Sequence, residues 1–367
     1  MKNLGINNLR IVFWELTKKC NLKCKHCRAE AEDFDYQGEL TTEEIKDVID
    51  NISTFANPIL ILTGGEPLYR SDIFDIAKYA KTKEFRLALA TNGTLIDSKL
   101  AESIKNSGFE RVSISIDGKD AVSHDGFRGI KGAFDESLRG VGFLKEYEVD
   151  FQFNATITNR NVDEIEGILR LSEEMGAKAL HIFMLVPVGC GVQIVETDMI
   201  SKEKYEEVLN WFYDRSKETK LEFKATCAPH YYRIIRQRAK EEGREITFET
   251  DGLSAMTRGC LSGTAVCFIS HKGDVQACGY LPLIAGNVLE TPFRDIWEKS
   301  ELFTNLRDLS KLKGKCGICE YKTFCAGCRA RAYSEYNDYL AEEPYCVYIP
   351  KRLRKREDGI STPSSHD

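Results

Sequence analysis

Along the first 225 residues, short runs of β-branched and aromatic residues alternate with longer stretches in which apolar residues recur every three or four positions. The short runs predict strands at 11–15, 59–62, 86–90, 111–116, 151–157 and 179–184, with a weaker seventh at 221–224. The stretches between them predict amphipathic helices. The first of these opens on a capping signal, Thr41 with Glu44 three residues on, ahead of Ile45, Val48 and Ile49 on one face. Regular strand–helix alternation predicts an α/β fold with a parallel sheet or barrel.

In such folds reactive groups gather in the loops at the carboxyl ends of the strands. The unusual residues lie there. Cys20, Cys24 and Cys27 follow the first strand, Gly64-Gly65-Glu66-Pro67 the second, Thr91-Asn92-Gly93 the third, Asp117-Gly118 the fourth and Thr158-Asn159 the fifth. The rhythm stops near residue 225. Residues 1–225 therefore read as one core, 226–250 as a helical bridge and 251–350 as a small cysteine-rich domain, in which His271-Lys272-Gly273-Asp274 suggests a hairpin. Residues 351–367, a basic run followed by Ser and Pro, read as a poorly ordered tail.

Composition narrows the chemistry. Fifty-one Lys and Arg against 57 Asp and Glu give a net charge of −6 over 367 residues, which excludes a global nucleic-acid-binding charge. No apolar run is long enough for a membrane helix, and the first fifteen residues carry no secretory leader pattern, so the expected compartment is the cytoplasm. Disulfides are rare there, and clustered cysteines among the chain's 13 point to metal.

Cys20-x3-Cys24-x2-Cys27 can hold three corners of a [4Fe-4S] cluster and leave the fourth iron open. A zinc site completed by His26 or a distant cysteine is the competing reading. The missing fourth local ligand and the glycine motif after the next strand favour the cluster. Together with Gly64-Gly65-Glu66-Pro67, this motif resembles the radical S-adenosylmethionine (SAM) superfamily. The resemblance implies a partial (βα)6 TIM-like barrel in which SAM chelates the open iron and yields a 5′-deoxyadenosyl radical. It also implies that backbone groups of Gly64, Gly65 and Glu66, with Pro67 beside them, receive the SAM amine, and that Ser115 and Arg128 serve its carboxylate or ribose. Thr91, Asn92 and Asn154 would face the ribose or the substrate. A surface ion pair is the plainer role for Arg128. His26 departs from the aromatic residue usual before the third cysteine, although imidazole can also pack on adenine.

Downstream, Cys260-x6-Cys267-x10-Cys278, then Cys316-x2-Cys319-x5-Cys325-x2-Cys328 and Cys346, resemble the SPASM extension of radical SAM enzymes. That resemblance implies one auxiliary cluster on Cys260, Cys267, Cys278 and Cys328, and another on Cys316, Cys319, Cys325 and Cys346. The spacing before Cys328 is one residue shorter than the usual x3. A zinc ribbon on Cys316, Cys319, Cys325 and Cys328 is the alternative, and it leaves four cysteines without a role. Cys190 and Cys227 read as small core residues, with Cys190 near the mouth of the barrel.

Residues 183–191, 228–233 and 328–333 resemble radical SAM enzymes of the alternative, sirohaem-derived haem pathway, the SAM-dependent haem synthases most of all. This implies a tetrapyrrole substrate, a reductant such as ferredoxin or flavodoxin, and oxidative decarboxylation of two propionates of iron-coproporphyrin III to vinyl groups, giving haem b. A 12,18-didecarboxysirohaem deacetylase and a peptide or protein maturase are the alternatives. About ten residues precede the first strand, too few for a leader-peptide-binding module, which counts against the maturase. His230, Tyr231 and Arg233 are expected at the substrate, as iron ligand, hydrogen-bonding phenol and propionate clamp. The plainer reading of that segment is an amphipathic helix with His230 and Arg233 facing solvent.

Overall fold

The computed structural model describes residues 9–251 and 258–357. Seven strands follow the predicted rhythm: β1 (Ile11–Glu15), β2 (Ile59–Thr63), β3 (Arg86–Thr91), β4 (Phe109–Ser115), β5 (Phe151–Ile157), β6 (Ala179–Met184) and β7 (Glu222–Thr226). They stand side by side in sequence order, every pair parallel. Alternate residues such as Val12, Trp14, Leu60, Leu62, Phe153 and Ile182 are buried under the crossover helices. The helix Thr42–Ser53 shows how local sequence sets an element. Its Thr41–Glu44 capping box forms in both directions, and Ile45, Val48, Ile49 and Ile52 are buried.

The sheet is curled. Arg111 on β4 and Glu222 on β7 form a two-bond ion pair at 2.7 and 3.1 Å, although β5 and β6 stand between them. In a flat sheet those strands would be about 14 Å apart. The other face of each strand therefore lines a lumen, and the Arg111–Glu222 pair crosses it near the amino ends of the strands.

Beyond β1 the sheet continues with β8 (Val266–Ile269), β9 (Asp274–Gln276) and β10 (Ile284–Asn287), in the order β10-β9-β8-β1. β8 runs parallel to β1, and β8–β9 is the expected hairpin, turning at Gly273 with φ +87°. The cysteine-rich segment thus extends the barrel's own sheet. Residues 226–250 are more than a bridge, because the helix His230–Glu241 buries Tyr231, Ile234 and Ile235 beside the helix Lys202–Arg215. The basic run expected to be poorly ordered is helical over Lys351–Glu357, and the remainder of that tail lies outside the described residues. Among the described residues no helix is long and apolar enough to cross a membrane.

Candidate functional site

The loop after β1 folds over the carboxyl end of β2. Gly65 N–H donates to the Thr17 carbonyl at 2.8 Å and Glu66 N–H to that of Lys19 at 2.7 Å. A Cβ on Gly65 would lie 2.5 Å from the Lys19 carbonyl oxygen, so only glycine permits this approach. The fold brings Cys20, Cys24 and Cys27 to the wall of one open cavity of about 760 Å³, which Gly64, Gly65, Asn92 and Arg128 also line. Its other wall is apolar, built from Phe183, Met184, Leu185 and Val186 at the end of β6.

Donors converge on the three sulfurs. Leu22 N–H reaches Cys20 Sγ at 3.4 Å, Ala31 N–H reaches Cys27 Sγ at 3.4 Å, and Arg128 Nη1 reaches Cys24 Sγ at 3.6 Å. Burial pushes Cys20 up to about 12, with Glu66, Cys24 and Cys27 adding to the rise, and it raises Cys24 as well. Such thiols ionise when a metal takes the proton's place. Among the described residues no three His, Cys, Asp or Glu converge as ligands of a single ion would. Three thiols with N–H donors around one cavity suit a polynuclear cluster with a small-molecule ligand.

Arg128 is nearly buried, and its Nη2 lies 2.6 Å from fully buried Asp117. A surface ion pair is thereby ruled out. Asp117 also accepts from Thr156 N–H at 2.6 Å and faces His26 Nε2 at 3.6 Å. His26 stacks on Phe127 with ring centroids 4.2 Å apart, and burial lowers its pKa to about 4, so the ring is neutral. Glu66, Pro67 and Thr91, also expected near SAM, are not among the residues that line this cavity. Glu66 is fully buried behind the cavity, where its carboxylate accepts from Thr91 Oγ1, Asn92 N–H and Leu68 N–H at 2.7, 2.8 and 3.1 Å, tying β2 to β3. Pro67 opens the short turn that follows. Ser115 and Asn154, paired in register, are not among the lining residues; Thr156, two residues beyond Asn154, is.

The downstream cysteines form two groups, one of them different from the expected set. Cys316, Cys319, Cys325 and Cys346 line a single cavity. The sulfurs of Cys316, Cys319 and Cys325 accept from the backbone N–H groups of Glu343, Tyr321 and Gly327 at 3.3 to 3.4 Å. In the other group Cys260, Cys278 and Cys328 are joined by Cys227, and burial together with the neighbouring thiols raises the pKa of Cys227, Cys278 and Cys328. Cys267, expected there, is instead fully buried on β8 opposite Val12. Cys227 holds a left-handed backbone, φ 54°, pinned by Tyr205 Oη and Arg331 Nη2, which donate to its carbonyl at 3.0 and 2.7 Å. One signal in the sequence could have found it: Cys227 directly follows β7, where loops carry the chemistry.

Tyr280 was also missed. It lines the first cavity, while its N–H bonds Cys278 Sγ at 3.4 Å, so it touches both the first cavity and the Cys227 group.

His230, Tyr231 and Arg233 are not at the first cavity. His230 is fully buried among the Cys316 group, 4.8 Å from the Tyr205 ring, with neither ring nitrogen hydrogen-bonded, and burial lowers its pKa to about 3. Arg233 is engaged by Glu206 at 2.5 and 2.8 Å, and Tyr231 packs edge-on against Phe212. The reason is helical geometry. The apolar face of this helix is buried, and its first turn enters the cysteine-rich segment instead of the barrel mouth.

Comparison with known proteins agrees with this geometry. Residues 14–172 match the Radical SAM superfamily, and residues 260–329 match SPASM, an iron-sulfur cluster-binding domain. The chain is 53% identical to the AdoMet-dependent heme synthase of Methanosarcina barkeri, over 94% of this chain and 98% of that one. It is 34% identical to the Fe-coproporphyrin III synthase of the same organism, over 93% and 88%. The fold matches Streptococcus suis SuiB bound to S-adenosylmethionine with a TM-score of 0.73, at 16% identity, over 93% of this chain and 78% of that one. These domains use [4Fe-4S] clusters and SAM. The chain is an enzyme of the radical SAM superfamily with a SPASM domain, and it belongs to the same family as the AdoMet-dependent heme synthases.

Proposed function

We propose that this enzyme converts iron-coproporphyrin III to haem b by oxidative decarboxylation of two propionates. Each propionate becomes a vinyl group by losing one hydrogen atom, one electron and CO2. The observation that carries the reading is the adjacency of two sites: the cavity of Cys20, Cys24 and Cys27 and the thiol group of Cys227, Cys260, Cys278 and Cys328 share Tyr280. The likeness to the heme synthase supports it.

Cys20, Cys24 and Cys27 would hold the SAM-binding cluster, and the two four-thiol groups would hold auxiliary clusters. When bound, the first cluster with SAM supplies hydrogen-atom abstraction through one-electron cleavage of the sulfonium, and an auxiliary cluster supplies a one-electron acceptor. The chain's own residues do the positioning. Gly64 and Gly65 let the ligand approach the backbone, and the Asp117–Arg128 pair orients a guanidinium beside Cys24. Phe183, Met184, Leu185 and Val186 offer a flat apolar macrocycle a surface that excludes water.

The test is anaerobic reconstitution with dithionite, SAM and iron-coproporphyrin III, followed by mass analysis of the tetrapyrrole. The expected result is loss of CO2 and two hydrogens at each of two propionates, with 5′-deoxyadenosine released. Release of 5′-deoxyadenosine with the porphyrin unchanged would overturn the substrate assignment and direct the same assay to didecarboxysirohaem and then to peptides.

A further inference from the structure

A substrate with four carboxylates needs cationic partners, yet the arginines of the first cavity are already engaged. Arg28 is paired with Glu15 at 2.5 Å, and Arg128 with Asp117 at 2.6 Å. Lower in the barrel, Asn154 on β5, His181 on β6 and Lys224 on β7 are aligned in register. Thr156 and Phe183, two residues further along β5 and β6, line the cavity. This polar layer therefore lies about 6.6 Å beneath the cavity wall.

The layer presents donors and no anion. Gln152 Nε2 donates to Asn154 Oδ1 at 2.9 Å and meets His181 Nδ1 at 2.9 Å. An amide nitrogen only donates, so Nδ1 accepts and the neutral ring keeps its proton on Nε2. Burial, with Lys224 and Arg111 nearby, lowers the His181 pKa to about 3 and keeps the ring neutral. Lys224 makes no hydrogen bond or ion pair among the described residues. Its side chain is solvent-accessible, yet protein crowds it enough to lower its pKa. Water reaches it inside a walled lumen, where the Arg111–Glu222 pair is self-neutralised.

We infer that Lys224, with His181 Nε2–H and the Asn154 amide beside it, binds a carboxylate arm of the substrate that reaches down the barrel lumen. The inference rests on the proposed tetrapyrrole reading and deepens it. An unpaired ammonium next to two neutral donors is complementary to a carboxylate, and such charge-assisted bonds are the strong ones.

The test is a titration of the reconstituted enzyme with iron-coproporphyrin III and, separately, with its tetramethyl ester, for the parent, Lys224→Met and Lys224→Arg. Lys224→Met should weaken binding of the tetra-acid about tenfold or more, leave binding of the ester unchanged, and be largely rescued in Lys224→Arg. Tetra-acid binding as tight as the parent's, in a Lys224→Met protein of parental iron content and melting temperature, would overturn the inference and leave the proposed function standing. Should methionine upset packing, Lys224→Gln suits the hydrated lumen and is read the same way. A parent enzyme that neither binds nor converts iron-coproporphyrin III overturns the proposed function, and this inference with it.

Discussion

Arg128 Nη2 lies 2.6 Å from Asp117 in a site closed to water on the Asp117 side, while Nη1 of the same guanidinium reaches Cys24 Sγ at 3.6 Å. One side chain thus links the end of β4 to the cysteine loop. Its charge is held by a carboxylate that the Arg128 guanidinium keeps below its ordinary range against the effect of burial.

Arg128→Met should destabilise the enzyme by about 3–5 kcal/mol, because it strands a buried carboxylate. Arg128→Met combined with Asp117→Leu should regain much of that loss, since no buried charge then remains. Thermal melting of the three proteins checks this. A double variant no more stable than the single one would mean that the pair's worth lies in its other contacts.

Cys227 and Cys267 separate the observed thiol group from the one implied by the resemblance to SPASM enzymes. Cys227→Ser should lower the reconstituted iron content by about four atoms per chain, whereas Cys267→Val, in a dry apolar site, should keep the full load. Iron and acid-labile sulfide analysis decides the matter. The reverse pattern would return the ligand role to Cys267.

Burial raises Glu66 from 4.5 to about 7, against the three hydrogen bonds it accepts. An acid with a raised folded value holds its proton more tightly when folded. Its contribution to stability is complete below about pH 4.5 and is lost as pH rises through about 7. Glu66→Gln should therefore remove a downward slope of stability between pH 5 and 8. Gln gives up the bond from Asn92 N–H at a pH-independent cost of about 1–3 kcal/mol. Melting temperatures of parent and variant across that range should differ by an amount that changes with pH. A constant difference would show that Glu66 stays ionised throughout.

Much of this architecture was legible locally. Alternation of apolar residues located β1, β5 and β6 to the residue, and the capping box at Thr41 formed as written, because both depend on neighbours a few positions apart. The first three cysteines share one loop, so their convergence follows from chain geometry alone. The curling of the sheet, which lets Arg111 meet Glu222, appears in no local pattern.

What tertiary structure alone decided are the pairings between distant segments. The resemblance to SPASM enzymes grouped Cys267 with Cys260 and Cys278. In the register of β8 against β1, however, Cys267 falls opposite Val12 on the buried outer face, because successive strand residues point to opposite sides. Cys227 lies more than thirty residues before Cys260, and it reaches that thiol group only because β7 ends beside it and Arg331 fixes its left-handed turn. His230 and Arg233 carried the right chemistry for a porphyrin, but helix packing turned them toward the cysteines. Lys224, unremarkable in sequence, stands in the lumen without an ion-pair partner among the described residues because β7 joins the parallel sheet beside β6. Residue type and short-range spacing set what each side chain can do, whereas strand register and helix docking set what it faces.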